Sequence, residues 1–300
     1  MEENATELGR LGWGVRTRLA AMAALMVAAA TEFGLALSFA FGWPMAVGAG
    51  IAAFMMACKF ALMRLVAVRL DKSVEIASKD LAPDSGADVP ERGRIARSLA
   101  DLSAKAGIAC PELRIFENAG KPFEQLNTFC PAGMVGTANK SWVMVGAWAC
   151  GEFSPDTLSA VLAHEVAHVA NGDSLSSWLL HAMFGSAVRN SALAIFLCSL
   201  SLAFGLFGGH WLDGGSAILM AAFPTALAAA KLFALAKHAF ERKADKLGSE
   251  LLGSPDGLLS YFEWLSVKHP EKARGAEKRV ADLRALSRMR PAPETAAAAA

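Results

Sequence analysis

Ala163-His164-Glu165-Val166-Ala167-His168 sets two imidazoles four positions apart, with a carboxylate next to the first. On a helix rising about 1.5 Å per residue with about 3.6 residues per turn, positions i and i+4 project from the same side, so His164 and His168 can share one cation. Glu165 then stands beside that cation rather than on it, where a carboxylate can take a proton from water that the metal has acidified. The chemistry this spacing serves is metal-assisted hydrolysis, with Glu165 as catalytic base and His164 and His168 as ligands. The flanks predict a helix. Ser154-Pro155-Asp156 supplies an N-cap, a proline at the first helical position and an acidic first turn, and Asn171-Gly172 offers a stop. Between them Leu158, Val161, Leu162 and Val169 give the helix a face to bury.

The surrounding composition is that of a membrane protein. Hydrophobic residues make up 54% of the 300, above the usual share for a soluble globule, so a lipid bilayer is an expected partner. The net charge is +1, and without a basic excess nucleic acid is not. Cys58, Cys110, Cys130, Cys150 and Cys198 are odd in number and widely spaced, with no Cys-x-x-Cys pair, and read as thiols in a reducing compartment.

Two apolar runs, Leu19 to Phe41 and Pro44 to Met63, each long enough to cross about 30 Å of hydrocarbon, predict a transmembrane hairpin over residues 1–70. The immediate second run argues against a cleaved signal peptide. Ser191 to Gly208 and Ser216 to Ala236 predict a second hairpin over 191–237, the first of these runs being near the lower limit for a full span, and Pro224 is expected to kink the fourth helix. Arg10, Arg16 and Arg18 precede the first pair, Lys59, Arg64, Arg69 and Lys72 end or follow it, Arg189 stands before the second pair, and Lys237 and Arg242 follow. This distribution places both termini in the cytoplasm. Glu32 lies inside the first span, where an ionisable group is either functional or joined to a polar partner on another helix. Lys59 and Lys231 are expected to snorkel to the interface.

From Asp71 to Gly151 the composition is that of a soluble module, the start of a cytoplasmic protease domain expected over residues 71–190. A linker, Ala82-Pro83-Asp84-Ser85-Gly86, leads to a helix whose buried face is Ile95, Leu99 and Leu102. Leu113 to Phe116, Phe123 to Cys130 and Trp142 to Ala149 have strand character and predict a small antiparallel sheet, whose edge could pair with an extended substrate backbone. The expected fold is thus an α-helical membrane protein with an α+β zinc-protease domain. Residues 238–290 form a further helical part of that domain, and the Pro/Ala-rich tail 291–300 is expected to be disordered. His181, His210 and His269 have no partner at metal spacing.

Two histidines do not complete a zinc site, so a third ligand is needed. Phe240-Glu241-Arg242-Lys243-Ala244-Asp245 offers two carboxylates one turn apart, after the fourth run. Either could reach a cation, and the same pattern also suits a solvated charged face.

With these elements together, the sequence resembles the HtpX family of membrane-bound zinc metalloproteases, relatives of the CAAX prenyl endopeptidase. The resemblance rests on the amino-terminal hairpin, Ala106-Gly107-Ile108, the block from Phe153-Ser154-Pro155-Asp156 to Asn171-Gly172-Asp173, the second hydrophobic pair, Glu241 to Asp245, His269-Pro270 and Arg279-Val280. It implies a protease of the inner membrane, facing the cytoplasm and cutting misfolded or damaged membrane proteins or unfolded polypeptides. It also implies one Zn2+ per chain, with His164, His168 and Glu241 as ligands. Asp245 then suits a supporting place, accepting a hydrogen bond from the outer ring nitrogen of a ligand histidine. The family's edge strand reads Asn-Ala-Phe-Ala-Thr-Gly, against Asn127-Thr128-Phe129-Cys130-Pro131-Ala132-Gly133 here, so Asn127 is a candidate substrate contact in a groove that Pro131 reshapes. Where the family carries Arg, this chain has His238, either an oxyanion stabiliser or a solvated histidine. A processing protease for one defined lipidated or membrane peptide, and a scaffold using zinc only to fold, are the alternative readings.

Overall fold

The computed structural model describes residues 13–41, 43–68, 92–116, 132–136, 139–203 and 211–289. Along the chain these form α1 (Trp13–Phe41), α2 (Met45–Val68), α3 (Arg92–Ala106), β1 (Glu112–Phe116), β2 (Ala132–Gly136), β3 (Ser141–Gly146), α4 (Ala147–Glu152) and α5 (Pro155–Ala170). There follow α6 (Asp173–Ala203), α7 (Trp211–Leu252), α8 (Asp256–Lys268), α9 (Pro270–Ala273), a 3-10 turn (Arg274–Ala276) and α10 (Glu277–Met289). They divide into two compact units, residues 1–70 with 175–238 and residues 71–174 with 239–300.

Among the described residues, four helices are long and apolar enough to cross a membrane. Helices α1 and α2 pack with their backbones nearly touching. A Cβ on Gly34 would stand 2.3 Å from the carbonyl oxygen of Gly48, and one on Gly48 would stand 2.1 Å from that of Gly34. Such contact between small residues replaces the hydrophobic drive that lipid removes. Ser38 Oγ secures the turn, accepting from Gly48 N at 3.0 Å and donating to Pro44 O at 3.2 Å. Glu32 is buried and has partners on two other helices. Ser191 Oγ donates to its Oε2 at 3.3 Å and Thr225 Oγ1 to its Oε1 at 2.7 Å. Lys59 hydrogen-bonds Ser186 on α6. Pro224 lies within α7, which continues through it.

The third apolar stretch differs from its expected bounds. It spans Leu179–Leu200 rather than starting at Ser191. Arg189 and Asn190 interrupt the hydropathy of the sequence but not the helix: Arg189 is exposed on α6 and Asn190 is buried. Arg189 therefore lies inside the stretch instead of marking its entry, and residues 175–190 group with the membrane helices.

The second unit is built on α5, the helix that carries His164, Glu165 and His168. Ser154 caps it, accepting from Thr157 N at 3.2 Å, and the helix ends at Asn171, followed by Gly172 with φ +69°. Only glycine takes that left-handed turn without cost. Its apolar face meets Ile95, Leu99 and Leu102 of α3, Ile115 of β1, and Val143 and Val145 of β3 in one buried core. The sheet has the order β1-β3-β2. Here the expectation of an antiparallel sheet is corrected: β2 pairs antiparallel with β3, but β1 runs parallel to it. Parallel partners cannot be joined by a tight turn, and β1 and β3 are separated along the chain by β2 and the residues between Phe116 and Ser141. The expected third strand also stops at Gly146, where α4 begins. The expected strand Phe123 to Cys130, Asn127 within it, the Ala82–Gly86 linker and the tail 291–300 lie outside the described residues.

Candidate metal centre

Glu241, Asp245 and Gly248 fall at i, i+4 and i+7 on α7 and share one face. Gly248 lets that face come close to α5, since a Cβ there would stand 3.0 Å from His164 N and 3.2 Å from its Cα. Gly257 does the same for α8, where a Cβ would lie 2.7 Å from that of Ala160. Close packing on both sides holds α5 in place and brings the α7 carboxylates to its histidines.

The ring nitrogens His164 Nε2 and His168 Nε2 face each other at 3.1 Å. Glu241 Oε2 lies 3.6 Å from the first and Glu241 Oε1 lies 3.9 Å from the second. The outer nitrogens are occupied by carboxylates. His168 Nδ1 meets Asp173 Oδ2 at 2.9 Å. His164 Nδ1 lies 2.9 Å from Asp245 Oδ1, a contact short enough for an ion pair but off the line of a straight N–H···O bond. A carboxylate at Nδ1 keeps the proton there and leaves Nε2 as a lone pair. Two lone pairs and a carboxylate therefore converge on one point, an arrangement that repels itself unless a cation or a proton sits between them. His164, His168 and Glu241 thus have the donor types, the spacing and the charge to hold a metal ion.

The electrostatics point the same way. Burial disfavours a charged His164, yet Asp245 and Glu241 outweigh it and hold the ring up to about 9. Burial would likewise raise Glu241, but His164 and Arg279 keep its carboxyl well below the ordinary range. Asp245 is also lowered against its burial, by Arg279 and then His164. Glu165, half-buried on α5, moves the other way: desolvation raises it, outweighing the two histidines. A carboxyl raised in this manner is a better proton acceptor than an ordinary one.

Two residues of this cluster were not picked out by sequence as site residues. Asp173 is 4% exposed and follows directly on the Gly172 turn. Its sequence signals are its place after the helix stop and at the end of the block that carries the family resemblance. Arg279 on α10 spans both α7 carboxylates. Its Nε and Nη2 donate to Asp245 Oδ2 and Oδ1 at 2.6 and 2.7 Å, and its Nη1 lies 2.9 Å from Glu241 Oε2. His238 is exposed and, among the described residues, forms no hydrogen bond or ion pair.

The described residues thus combine a His-Glu-x-x-His helix, a carboxylate from a distant helix that could complete a metal site with it, and four helices long and apolar enough to cross a membrane. Comparison with known proteins gives the family: residues 91–286 match Peptidase family M48, and the chain belongs to it. Among curated relatives it is similar to Protease HtpX of Hahella chejuensis, 30% identical over 154 residues that make up 51% of this chain and 50% of that protein. Protease HtpX of Pseudomonas entomophila is 30% identical over 158 residues, 53% and 51% of the two chains. Protease HtpX of Stutzerimonas stutzeri is 28% identical over 167 residues, 53% and 52%. The chain thus spans about half the length of the curated relatives it matches. No solved structure matches it.

Proposed function

We propose that this protein is a multi-pass zinc endopeptidase of the inner membrane that hydrolyses peptide bonds of misfolded or damaged membrane proteins from the cytoplasmic side. The observation that carries the reading is the convergence of His164 Nε2, His168 Nε2 and the Glu241 carboxylate beside Glu165. Two imidazoles and one carboxylate are a usual ligand set of catalytic zinc in proteases, leaving a position open for water or substrate. When bound, zinc would polarise the scissile carbonyl and acidify water. Glu165 accepts the proton of the attacking water and returns it to the leaving amine, a role suited to its raised pKa. Asp245 and Asp173 hold protons on His164 Nδ1 and His168 Nδ1, keeping both inner nitrogens available.

Substrate is proposed to bind by strand addition. Strand β2 is at the edge of the sheet and packs against α5, so an extended peptide paired to it would run beside the motif helix. Backbone pairing reads little sequence, which suits damaged proteins of many kinds. Asn127 and His238 are proposed contacts of substrate and oxyanion, respectively. Arg16, Arg18 and Arg64 near the ends of α1 and α2, with Lys237 and Arg242 on α7, favour cytoplasmic exposure of the site.

The full chain, purified in detergent, should carry stoichiometric zinc and digest a model membrane protein in a chelator-sensitive manner. Glu165→Ala should keep the zinc and lose the cleavage. Cleavage that survives Glu165→Ala would remove the catalytic reading, and an active alkaline phosphatase fused after Ser85 would reverse the topology.

A further inference from the structure

Arg279 lies outside the metal-binding set, yet it bonds both of the α7 carboxylates beside that set. One planar guanidinium engages both oxygens of Asp245 and one oxygen of Glu241. Its carbon lies 4.9 Å from the centroid of the Phe262 ring on α8, which supports the plane from beneath. The group is largely buried, with a side chain 19% exposed. Asp245 contacts His164, and Glu241 faces both histidines. A single side chain from α10 is thus in contact with the carboxylate that orients one histidine and with the carboxylate that faces the cation position.

We propose that Arg279 is the positioning residue of the metal centre, fixing the Glu241 carboxylate against the two histidines before the metal arrives and keeping it there afterwards. The inference rests on the metal-centre reading above and assigns a determinant to it. A glutamate free on a helix samples many rotamers, and ordering it on metal binding would cost affinity; the bond to Oε2 removes that cost in advance. The fork geometry matters as much as the charge. Three donors in one plane hold Glu241 and Asp245 in a fixed mutual relation, whereas a lysine ammonium is a point charge on a flexible stem and cannot do so. The carboxy-terminal helix therefore acts on metal retention through Arg279, though it contributes no ligand.

The test compares wild type, Arg279→Lys, Arg279→Gln and Phe262→Leu in the full chain in detergent. Zinc dissociation into excess chelator is timed, and the visible absorption of the cobalt-substituted protein reports ligand geometry. Arg279→Lys should release zinc about 10 to 100 times faster than wild type, with a weakened or shifted cobalt band and an unchanged helix content. Arg279→Gln should release it faster still, and Phe262→Leu should fall between wild type and Arg279→Lys. If Arg279→Gln fails to fold, Arg279→Lys decides. Wild-type dissociation and a wild-type cobalt spectrum in Arg279→Lys would overturn the role of Arg279 while leaving the metal centre standing. A wild-type chain that binds neither zinc nor cobalt would overturn both.

Discussion

Glu32 in the membrane unit and Asp245 beside the metal centre are buried to similar depths, 8% and 3% exposed, but they are satisfied in different currencies. Glu32 receives hydroxyl protons from Ser191 and Thr225. Asp245 receives a guanidinium and an imidazole. A second charge placed among apolar helices would itself be costly, whereas a hydroxyl brings a donor without a charge. Near the metal centre the balance is reversed, because His164, Glu241 and Arg279 already make the region ionic, and a charged partner gives the stronger bond. A carboxylate held by hydroxyls is a structural tie among helices. One held by charges sets the proton and metal equilibria of its neighbours.

Measurements on both carboxylates and their neighbours test this contrast. Largest should be Glu241→Ala, which removes an ionic ligand: zinc should fall from stoichiometric to trace by metal analysis, and proteolysis by more than about 1,000-fold. Next is the pH dependence of metal uptake. In the metal-free protein His164 keeps its proton up to about 9, so a cation must displace it. Zinc affinity by competition titration should therefore climb about tenfold per pH unit from neutrality and level off above that value. Stability of the metal-free fold should move oppositely. A pKa raised from 6.5 to about 9 gives stabilisation that is complete below the former and lost as pH rises through the latter. A flat affinity profile would mean that the carboxylates do not hold a proton on His164. Asp245→Asn keeps the shape but removes the charge facing Arg279 and His164, and should weaken zinc about 10 to 100-fold without emptying the site at saturating metal. Full occupancy in Glu241→Ala with loss in Asp245→Asn would exchange their roles. The smallest effect belongs to the hydroxyl-held carboxylate: Glu32→Gln should change stability by about 1 kcal/mol or less in a denaturant titration and leave zinc content unaltered. Loss of zinc there would contradict a purely structural tie.

The sequence was most legible where the determinants are local. The spacing of His164, Glu165 and His168, the Ser154 cap and the Asn171-Gly172 stop are all read within one helix, and the four apolar helices were legible by length. It was least legible where a contact joins distant elements. Arg279 is 34 positions from Asp245, and although Arg279-Val280 belongs to the family resemblance, its own neighbours do not tell that it will meet two carboxylates. Ser191 and Thr225 are unremarked hydroxyl residues whose meaning comes only from facing Glu32. Glu241 and Asp245 had the same spacing claim on the cation, and their difference comes from the approach of α7 to α5. The direction of β1 depends on a crossover that strand propensity does not encode. The start of the third apolar helix was obscured because Arg189 stands exposed on its side rather than at its end.

Gly248 has a mechanical meaning that its lack of a side chain conceals. It is the point where α7 comes against the backbone of His164, and Glu241 sits two turns away along the same rod, about 10 Å by helical rise. The contact is a fulcrum and the stretch to Glu241 a lever arm. Any wedge at the fulcrum swings the carboxylate through an arc while every metal-binding side chain stays chemically intact. The reach of the Glu241 carboxylate is thus set by an atom that is not there, and the gap between two helix backbones serves as the gauge to which its approach to the histidines is built.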